Sequence, residues 1–563
     1  HAFDASQAVS MAVTIPARRY RNSDGDMMTT LTEDIRIAES EGRPVTWRGW
    51  AALVVLMLPV LLISVDNTVL SFALPEIALA LEPTAAQQLW IIDAYPLVLA
   101  GLLVTMGTLG DRFGRRRMLL IGATGFATVS ALSAFAPSAE WLIAGRAAMG
   151  LFGAMIMPST LALLRSIFTL RNQRRLAIAI WASMFSAGAA LGPIVGGVLL
   201  EHFSWGSVFL MAVPVLVPLL VLAPLLVPES RNPDAGRVDA VSIVLSMAMM
   251  VPIVWAIKEF AVHGFSPTIV VATVAGAGFG ILFVRRQLRA RSPMLDMRLF
   301  TRGTFSGALL VNLLSVISLV GFMFFIAQHL QLIVGLSPVQ AGFALVPSLA
   351  SVIVSGLLVV PIASRIPPRI VVPAALMFSM SGYLLVAATA GSGDLGWLLL
   401  ASVLLGIGIG AAETVSNELV MASAPPSKAG AAGAVSETAY ELGAVLGTAV
   451  LGSILTASYR SGIAIPAGVP TDLAAQARET LAGAYVTAGE LAAPIADALR
   501  AAAAAAFDSG VAVTAAVGAG LVVLAAVIAA TTLGSAPSSV NQAARSENEE
   551  SNVARGEASR HPR

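Results

Sequence analysis

The chain has 563 residues, enough for about four soluble domains at roughly 150 residues each, but charged residues make up only 12% of it and hydrophobic ones 57%. With a mean hydropathy of +0.82, it carries more apolar side chain than a water-facing surface can hide, so most of it must take lipid as solvent. A net charge of +1 argues against an electrostatic nucleic-acid binder, and the absence of cysteine excludes disulfides, thiol catalysis and Cys-based metal sites.

Residues 1–46 are polar, and no apolar segment follows Arg18, Arg19 and Arg21 before the first span, so a cytoplasmic tail is expected rather than a secretory signal. The chain opens on His1, so residues 1–26 are read as a tag remnant or the chain as truncated, with Met27 or Met28 as a natural start. Fourteen apolar runs follow, near 50–74, 89–109, 118–136, 140–164, 176–200, 206–227, 238–258, 267–285, 304–326, 340–362, 369–389, 395–421, 430–457 and 508–532. Each approaches the ~20 residues that cross ~30 Å of hydrocarbon, and an even number returns both termini to one side. Placing both tails and alternate loops in the cytoplasm puts all but five of the 34 Lys and Arg inside. The exceptions are Arg460, Arg478 and Arg500 in opposite loops and Arg146 and Lys258 within runs; basic residues concentrate on the cytoplasmic side, so both termini are expected there.

Six arginines between Arg285 and Arg302 form a long basic loop that divides the chain into halves. Residues 458–507, with Pro466, Pro470 and Pro494 among alanine-rich stretches, predict a partly helical external hairpin before the last span. Residues 534–563, rich in Ser, Asn, Glu and Arg, read as a disordered cytoplasmic tail. The five histidines do not cluster, and His202, His263 and His329 are expected to be solvated loop residues.

Ionisable groups inside spans carry the sharpest information, since each costs roughly 2.5–3.5 kcal/mol at a helix centre on insertion scales and is normally kept for function. Asp66 lies ~24 Å along the first helix at ~1.5 Å per residue, in its outer half. Asp93, five residues into the second helix, shares that depth or else is an interfacial acid beside Trp90 and Tyr95; Arg146 on the fourth helix could partner either acid. Glu437 and Glu441 on the thirteenth helix share one face about one turn apart. Like charges at that spacing repel, so at least one is expected to hold a proton until a cation arrives. Glu413 and Glu418 lie on the twelfth helix, Glu418 as a snorkelling surface acid.

Gly188, Gly192 and Gly196 recur every fourth residue on the fifth helix and form one flat stripe where another backbone can approach, while Pro193 favours a bend. The stripe suits tight packing or a hinge. In the loop after the second helix, residues 107–119 read Gly-Thr-Leu-Gly-Asp-Arg-Phe-Gly-Arg-Arg-Arg-Met-Leu. Gly107 permits close approach, Arg112 and Arg115–Arg117 suit lipid headgroups, and Asp111 among four arginines does nothing for topology.

This loop, with Gly107, Asp111, Arg112, Gly114 and Arg115, resembles the loop signature of the major facilitator superfamily. Three further signatures lie in order: Leu142–Gly153 with Arg146, Gly150 and Gly153; Gly188, Gly192, Pro193, Gly196 and Gly197 as the antiporter motif GxxxGPxxGG; and Val65–Pro75, similar to the first-helix motif of fourteen-span drug:proton antiporters of the QacA and LfrA type. The likeness runs from about Arg48 to Leu533. It implies an all-α membrane protein of fourteen spans: an N-terminal bundle over 47–230, two inserted helices over 231–290, and a C-terminal bundle over 291–533, with six helices per bundle. It also implies a proton-gradient-driven exporter in the bacterial cytoplasmic membrane, working as a monomer without a cofactor, whose cargo is lipophilic organic cations. Alternatives are export of a native lipid, siderophore or metabolite, or, remotely, a sensor or enzyme. Asp66, Asp93, Arg146, Glu437 and Glu441 would serve substrate or proton coupling, with Glu441 replacing a shorter Asp. Asp111 would belong to a latch against the thirteenth helix near Gly430, while Ser364 and Arg365 stand at the matching place in the second half. The usual Trp-Arg-Trp after the fifth helix is replaced here by Ser204, Trp205, Gly206 and Ser207, which lack the arginine.

Overall fold

A computed structural model describes residues 45–231, 239–290, 297–391, 394–423 and 429–534. Nearly all of the two expected tails, and residues 291–296 of the basic loop, lie outside them. Among the described residues there is no strand. Lipid leaves backbone polar groups no partner but the helix itself, so apolar runs of this length resolve into helices.

The N-terminal bundle comprises α1 (Trp47–Leu81), α2 (Ala85–Phe113), α3 (Arg115–Ser133), α4 (Ala139–Ile167), α5 (Arg171–His202) and α6 (Ser207–Leu226). Then come α7 (Ala240–His263) and α8 (Pro267–Arg289). The C-terminal bundle begins with α9 (Gly303–Ile333), α10 (Pro338–Ala363), α11 (Pro368–Thr389) and α12 (Leu395–Ala422). In α13, Ala429–Gly447 continues through a π-turn, Thr448–Gly452, into Ser453–Gly462. Two short helices, α14 (Thr471–Glu479) and α15 (Leu481–Gly489), precede α16 (Ala493–Thr532).

Every predicted run is thus met by a long helix, but twelve of them are long and apolar enough to cross a membrane on their own. A thirteenth is α5, bent by 42° between Leu176–Ala189 and Leu191–His202, next to Pro193. The remaining one, α3, has 19 residues and opens on three arginines, with Gly, Thr and Ser diluting its hydrophobicity. Burial of Leu119, Ala123 and Phe126 against α4 supplies what its composition lacks. The last predicted run proves too short: α16 has 40 residues, ~60 Å at ~1.5 Å each, so it projects beyond the hydrocarbon and joins α14 and α15 in the hairpin.

Within the N-terminal bundle α2 packs on α4, α1 on α5 and α6, and α3 on α4 and α6; in the other, α12 packs on α10 and α11, and α16 on α9 and α11. The bundles meet where α2 faces α13 and α5 faces α10. Of the inserted pair, α7 lies along α2 and the π-turn of α13, while α8 packs on α7 and turns an apolar face outward. The clasp at their near ends is Arg286 on Asp239, Nη2–Oδ1 2.7 Å.

Among the described residues, contacts across the seam gather from mid-helix toward the end holding Leu81 and His202. Asn67 Nδ2 reaches Glu441 Oε1 at 3.5 Å, Phe185 meets Tyr440 edge-on at 5.7 Å, and Gln331 donates to the Phe72 carbonyl at 3.1 Å. Beyond them Ser337 donates to Glu201 at 3.3 Å, and Gln476 of the hairpin donates to Glu82 at 2.9 Å. The seam is therefore sealed at that end.

Candidate functional site

Arg146 settles between its two expected partners. Its Nη1 lies 2.6 Å from Asp66 Oδ2, Nε donates to the Ile91 carbonyl at 3.3 Å, and the guanidinium sits 4.6 Å from the centre of the Tyr95 ring. One arginine on α4 thereby ties α1 to α2, with both charges out of water; Arg146 is 1% exposed and Asp66 3%.

Asp93 is completely buried, not interfacial, and its partner is Lys258 of α7, Nζ–Oδ2 2.8 Å. The ammonium also donates to the Leu89 carbonyl at 3.0 Å and lies 4.0 Å from the Trp90 ring centre. Sequence reasoning counted Lys258 only as a charge inside a run. The cost of a lone lysine within a span was the signal that could have singled it out.

The C-terminal acids are placed otherwise. Glu441 is buried on the seam, with Asn67 its neighbour from α1. One turn earlier Glu437 is half-buried, and its Oε1 has no hydrogen-bond partner. Glu413 of α12 is half-buried on the same side, close enough to interact electrostatically with Glu437, and Ser436 donates to Asn417 Oδ1 at 2.9 Å beside them. Among the described residues no basic side chain forms an ion pair with Glu413, Glu437 or Glu441. Glu418 is exposed, as expected of a snorkelling acid.

The glycine stripe seats α5 on α1. A Cβ at Gly188 would stand 2.8 Å from the Leu61 carbonyl, at Gly192 it would strike Thr68, and at Gly196 it would meet Val69 Cγ2 at 2.6 Å. Gly197 turns the other way, with the backbone of Pro338 and Val339 on α10 2.7 Å from its would-be Cβ, and the Pro193 carbonyl faces Gly342. So the stripe packs within its own bundle, while its flank touches the other.

In the loop, Gly107 lets α2 close on Pro158 of α4. Asp111 pairs with Arg115 of the same loop, Oδ1–Nε 2.7 Å, while Arg112 is exposed. Gly430, its expected partner, lies outside the residues whose surroundings are described. Gly114 has φ 115° and a Cβ there would meet the Glu229 carboxylate at 2.8 Å, so the turn requires glycine twice over. Glu229 accepts from the Arg116 backbone at 3.0 Å, and Arg116 Nη1 donates to the carbonyls of Pro224 and Val227 at 3.2 and 3.0 Å. Arg116 therefore closes the end of α6 instead of serving as headgroup anchor alone; Glu229 was not foreseen.

His329 is no loop residue. It opens a π-turn, His329–Ile333, at the end of α9, is half-buried against Phe507, and lies 3.2 Å from Asp508, Nδ1–Oδ1. The two line a crevice inside the C-terminal bundle with Thr389 and Leu398, apart from the acids of the seam. His202 is exposed at the end of α5, and the side chain of His263 lies outside the described residues.

Two helical bundles facing each other across polar residues are matched by the sequence: residues 56–448 fit the profile of the Major Facilitator Superfamily. The chain belongs to that superfamily. It is accordingly a multi-pass membrane transporter. Among relatives, the multidrug efflux pump LfrA of Mycolicibacterium smegmatis is 55% identical over 476 residues, 84% of this chain and 94% of the relative. The methyl viologen resistance protein SmvA of Salmonella typhimurium is 37% identical over 455 residues, 79% and 90% of the two. A crystal structure of a bacterial homologue of the human lysosomal transporter Spinster superposes with a TM-score of 0.59 at 17% identity, over 85% of this chain and 97% of that one. At that identity the last comparison speaks for the superfamily's fold alone.

Proposed function

We propose that this transporter exports lipophilic organic cations, such as quaternary ammonium biocides and ethidium- or acriflavine-like dyes, in exchange for protons. It works as a monomer in the bacterial cytoplasmic membrane, without a cofactor, and both termini are cytoplasmic. The basic loops then face the cytoplasm, and the sealed Leu81 end faces out. The relatives named for multidrug efflux and methyl viologen resistance support organic, cationic cargo.

The observation that carries the reading is the set of three carboxyl groups, Glu413, Glu437 and Glu441, on the C-terminal side of the seam with no ion-pair partner among the described residues. Charges out of water need compensation, and a carboxyl group without a basic partner takes either a proton or a passing cation. Tyr440 and Phe185 supply aromatic faces at the same level, which suit a flat or quaternary cation. Cation entry from the cytoplasm displaces the proton, rocking of the bundles moves the site to the other side, and a proton from outside displaces the cation.

Everted vesicles holding an imposed pH gradient test this directly. Addition of ethidium should collapse part of the gradient while dye accumulates inside. Dye accumulation that leaves the gradient untouched would remove proton exchange from the mechanism.

A further inference from the structure

The inserted helices need not be spacers, because α7 carries the one buried lysine described in the chain into the seam. Around its ammonium stand the groups that hold an alkylammonium ligand in any cation site: the Asp93 carboxylate at 2.8 Å, the Leu89 carbonyl at 3.0 Å and the Trp90 face at 4.0 Å. Emptied of Lys258, this cage would bind an organic cation. It lies on the α2 side of the seam, where Leu89 packs on Gly452 and Asp93 neighbours Thr448 of α13. Parting α2 from α13 at the sealed end exposes it to the departing cargo.

We propose that Lys258 is a resident cation that fills a release-side site for organic cations, built by Asp93, Trp90 and Leu89, and so keeps exported cargo from rebinding. A tethered ammonium competes at an effective concentration that free cargo does not reach. The Asp66–Arg146 pair neutralises its own acid in the same way, so neither of the two buried aspartates on the N-terminal side is open to a cation leaving the seam. The inference rests on the cation-export reading and gives α7 a task within it: Lys258 acts through Asp93 and is a positioning residue.

The experiment is product inhibition in everted vesicles, whose lumen is the release side. Vesicles are preloaded with graded ethidium, a proton gradient is imposed, and initial uptake of external dye is measured. In Lys258→Met the luminal concentration giving half-inhibition should fall by about tenfold or more, the order of one charged contact in a partly dry site. Lys258→Arg, which keeps the cation, should match the parent, and adding Asp93→Asn to Lys258→Met should restore the parental value. Lower rates with unchanged half-inhibition would mean a structural pair only and overturn the proposal, as would tight luminal inhibition persisting in the double variant. If Lys258→Met leaves too little folded protein, Lys258→Gln keeps a hydrogen-bonding group without the charge and is read the same way. A parent protein that accumulates no dye under the gradient would sink the cation-export reading instead.

Discussion

The two bundles treat their acids in opposite ways. In the N-terminal bundle each buried carboxylate has a cation of its own, Asp66 with Arg146 and Asp93 with Lys258, both at hydrogen-bonding distance and both sealed from water. In the C-terminal bundle Glu413, Glu437 and Glu441 face the seam with tyrosine, serine and amide groups for company. A closed pair is costly to open, because either charge alone is stranded; an acid without a cation changes its proton at little structural cost. On the proposed reading, one bundle holds its shape and the other exchanges.

The largest effect should come from breaking a closed pair. Asp66→Asn strands the Arg146 guanidinium, which typically costs about 3–5 kcal/mol. Thermal unfolding in detergent should show a much lower midpoint along with lost efflux. Adding Arg146→Gln should recover most of the stability, and a single variant as stable as the parent would deny that the N-terminal acids are structural.

Glu437→Gln tests the other half. Efflux of monovalent and divalent cations should both fall about tenfold or more, with the unfolding midpoint unchanged or raised, because relieving like charges one turn apart removes a repulsion. Glu441→Gln should divide the two classes. Export against an inside-negative potential costs about 2.3 kcal/mol per charge per 100 mV, so a divalent cation needs compensation twice over. Its initial rate should drop several-fold more than that of ethidium. Proportional losses in both would leave Glu441 outside charge compensation.

Gly192→Leu asks whether the contact between α1 and α5 belongs to the rigid side of the comparison. The added side chain meets Thr68 and the Val65 carbonyl, an overpacking of about 1–3 kcal/mol. Dye binding should survive while transport slows, and normal transport would show that α5 yields there freely.

The smallest effect should follow Asp239→Asn, at an exposed pair far from the seam. The hydrogen bond from Arg286 holds the Asp239 carboxyl well below the ordinary range. A depressed carboxyl contributes its stability above the unfolded value and loses it only as pH falls through the folded one. The clasp between α7 and α8 should thus be constant from pH 5 to 8, and its removal should shift the midpoint by about 2 °C at most. A titration of stability near neutrality that vanishes in this variant would contradict the assignment.

Much of this was legible in order of chemical rarity. Acids inside apolar runs announce themselves, and Asp66, Asp93, Glu437 and Glu441 stand out as candidates because so few residues compete for notice. Spacing of four put the last two on one face, and the same rule found the stripe from Gly188 to Gly196. Partnerships were not legible, since they join helices far apart in the chain. Arg146 had two candidates at one depth and only packing chose Asp66; Lys258 was passed over because its partner lies on α2, beyond the whole remainder of the N-terminal bundle. His329 reads as a loop residue because the unbroken apolar run stops short of it, whereas a π-turn carries the helix past it. The length of α16 was underestimated because alanine is weakly hydrophobic yet the best of helix formers, so Ala501–Ala506 extends the helix without lengthening the apolar signal.

The paired charges of the N-terminal bundle also have an electrical meaning. A voltage across the membrane does work on net charge moved through it, about 2.3 kcal/mol per elementary charge per 100 mV. On the proposed cycle, when Asp66 travels with Arg146 and α7 moves with α2 so that Asp93 keeps Lys258, each rocking step carries these opposite charges over the same distance and the field gains nothing from them. On the proposed exchange, voltage dependence would ride on the occupants of Glu413, Glu437 and Glu441. On that reading the two closed pairs are electrically silent, and the membrane potential would be felt through the balance of protons and cargo at the three acids.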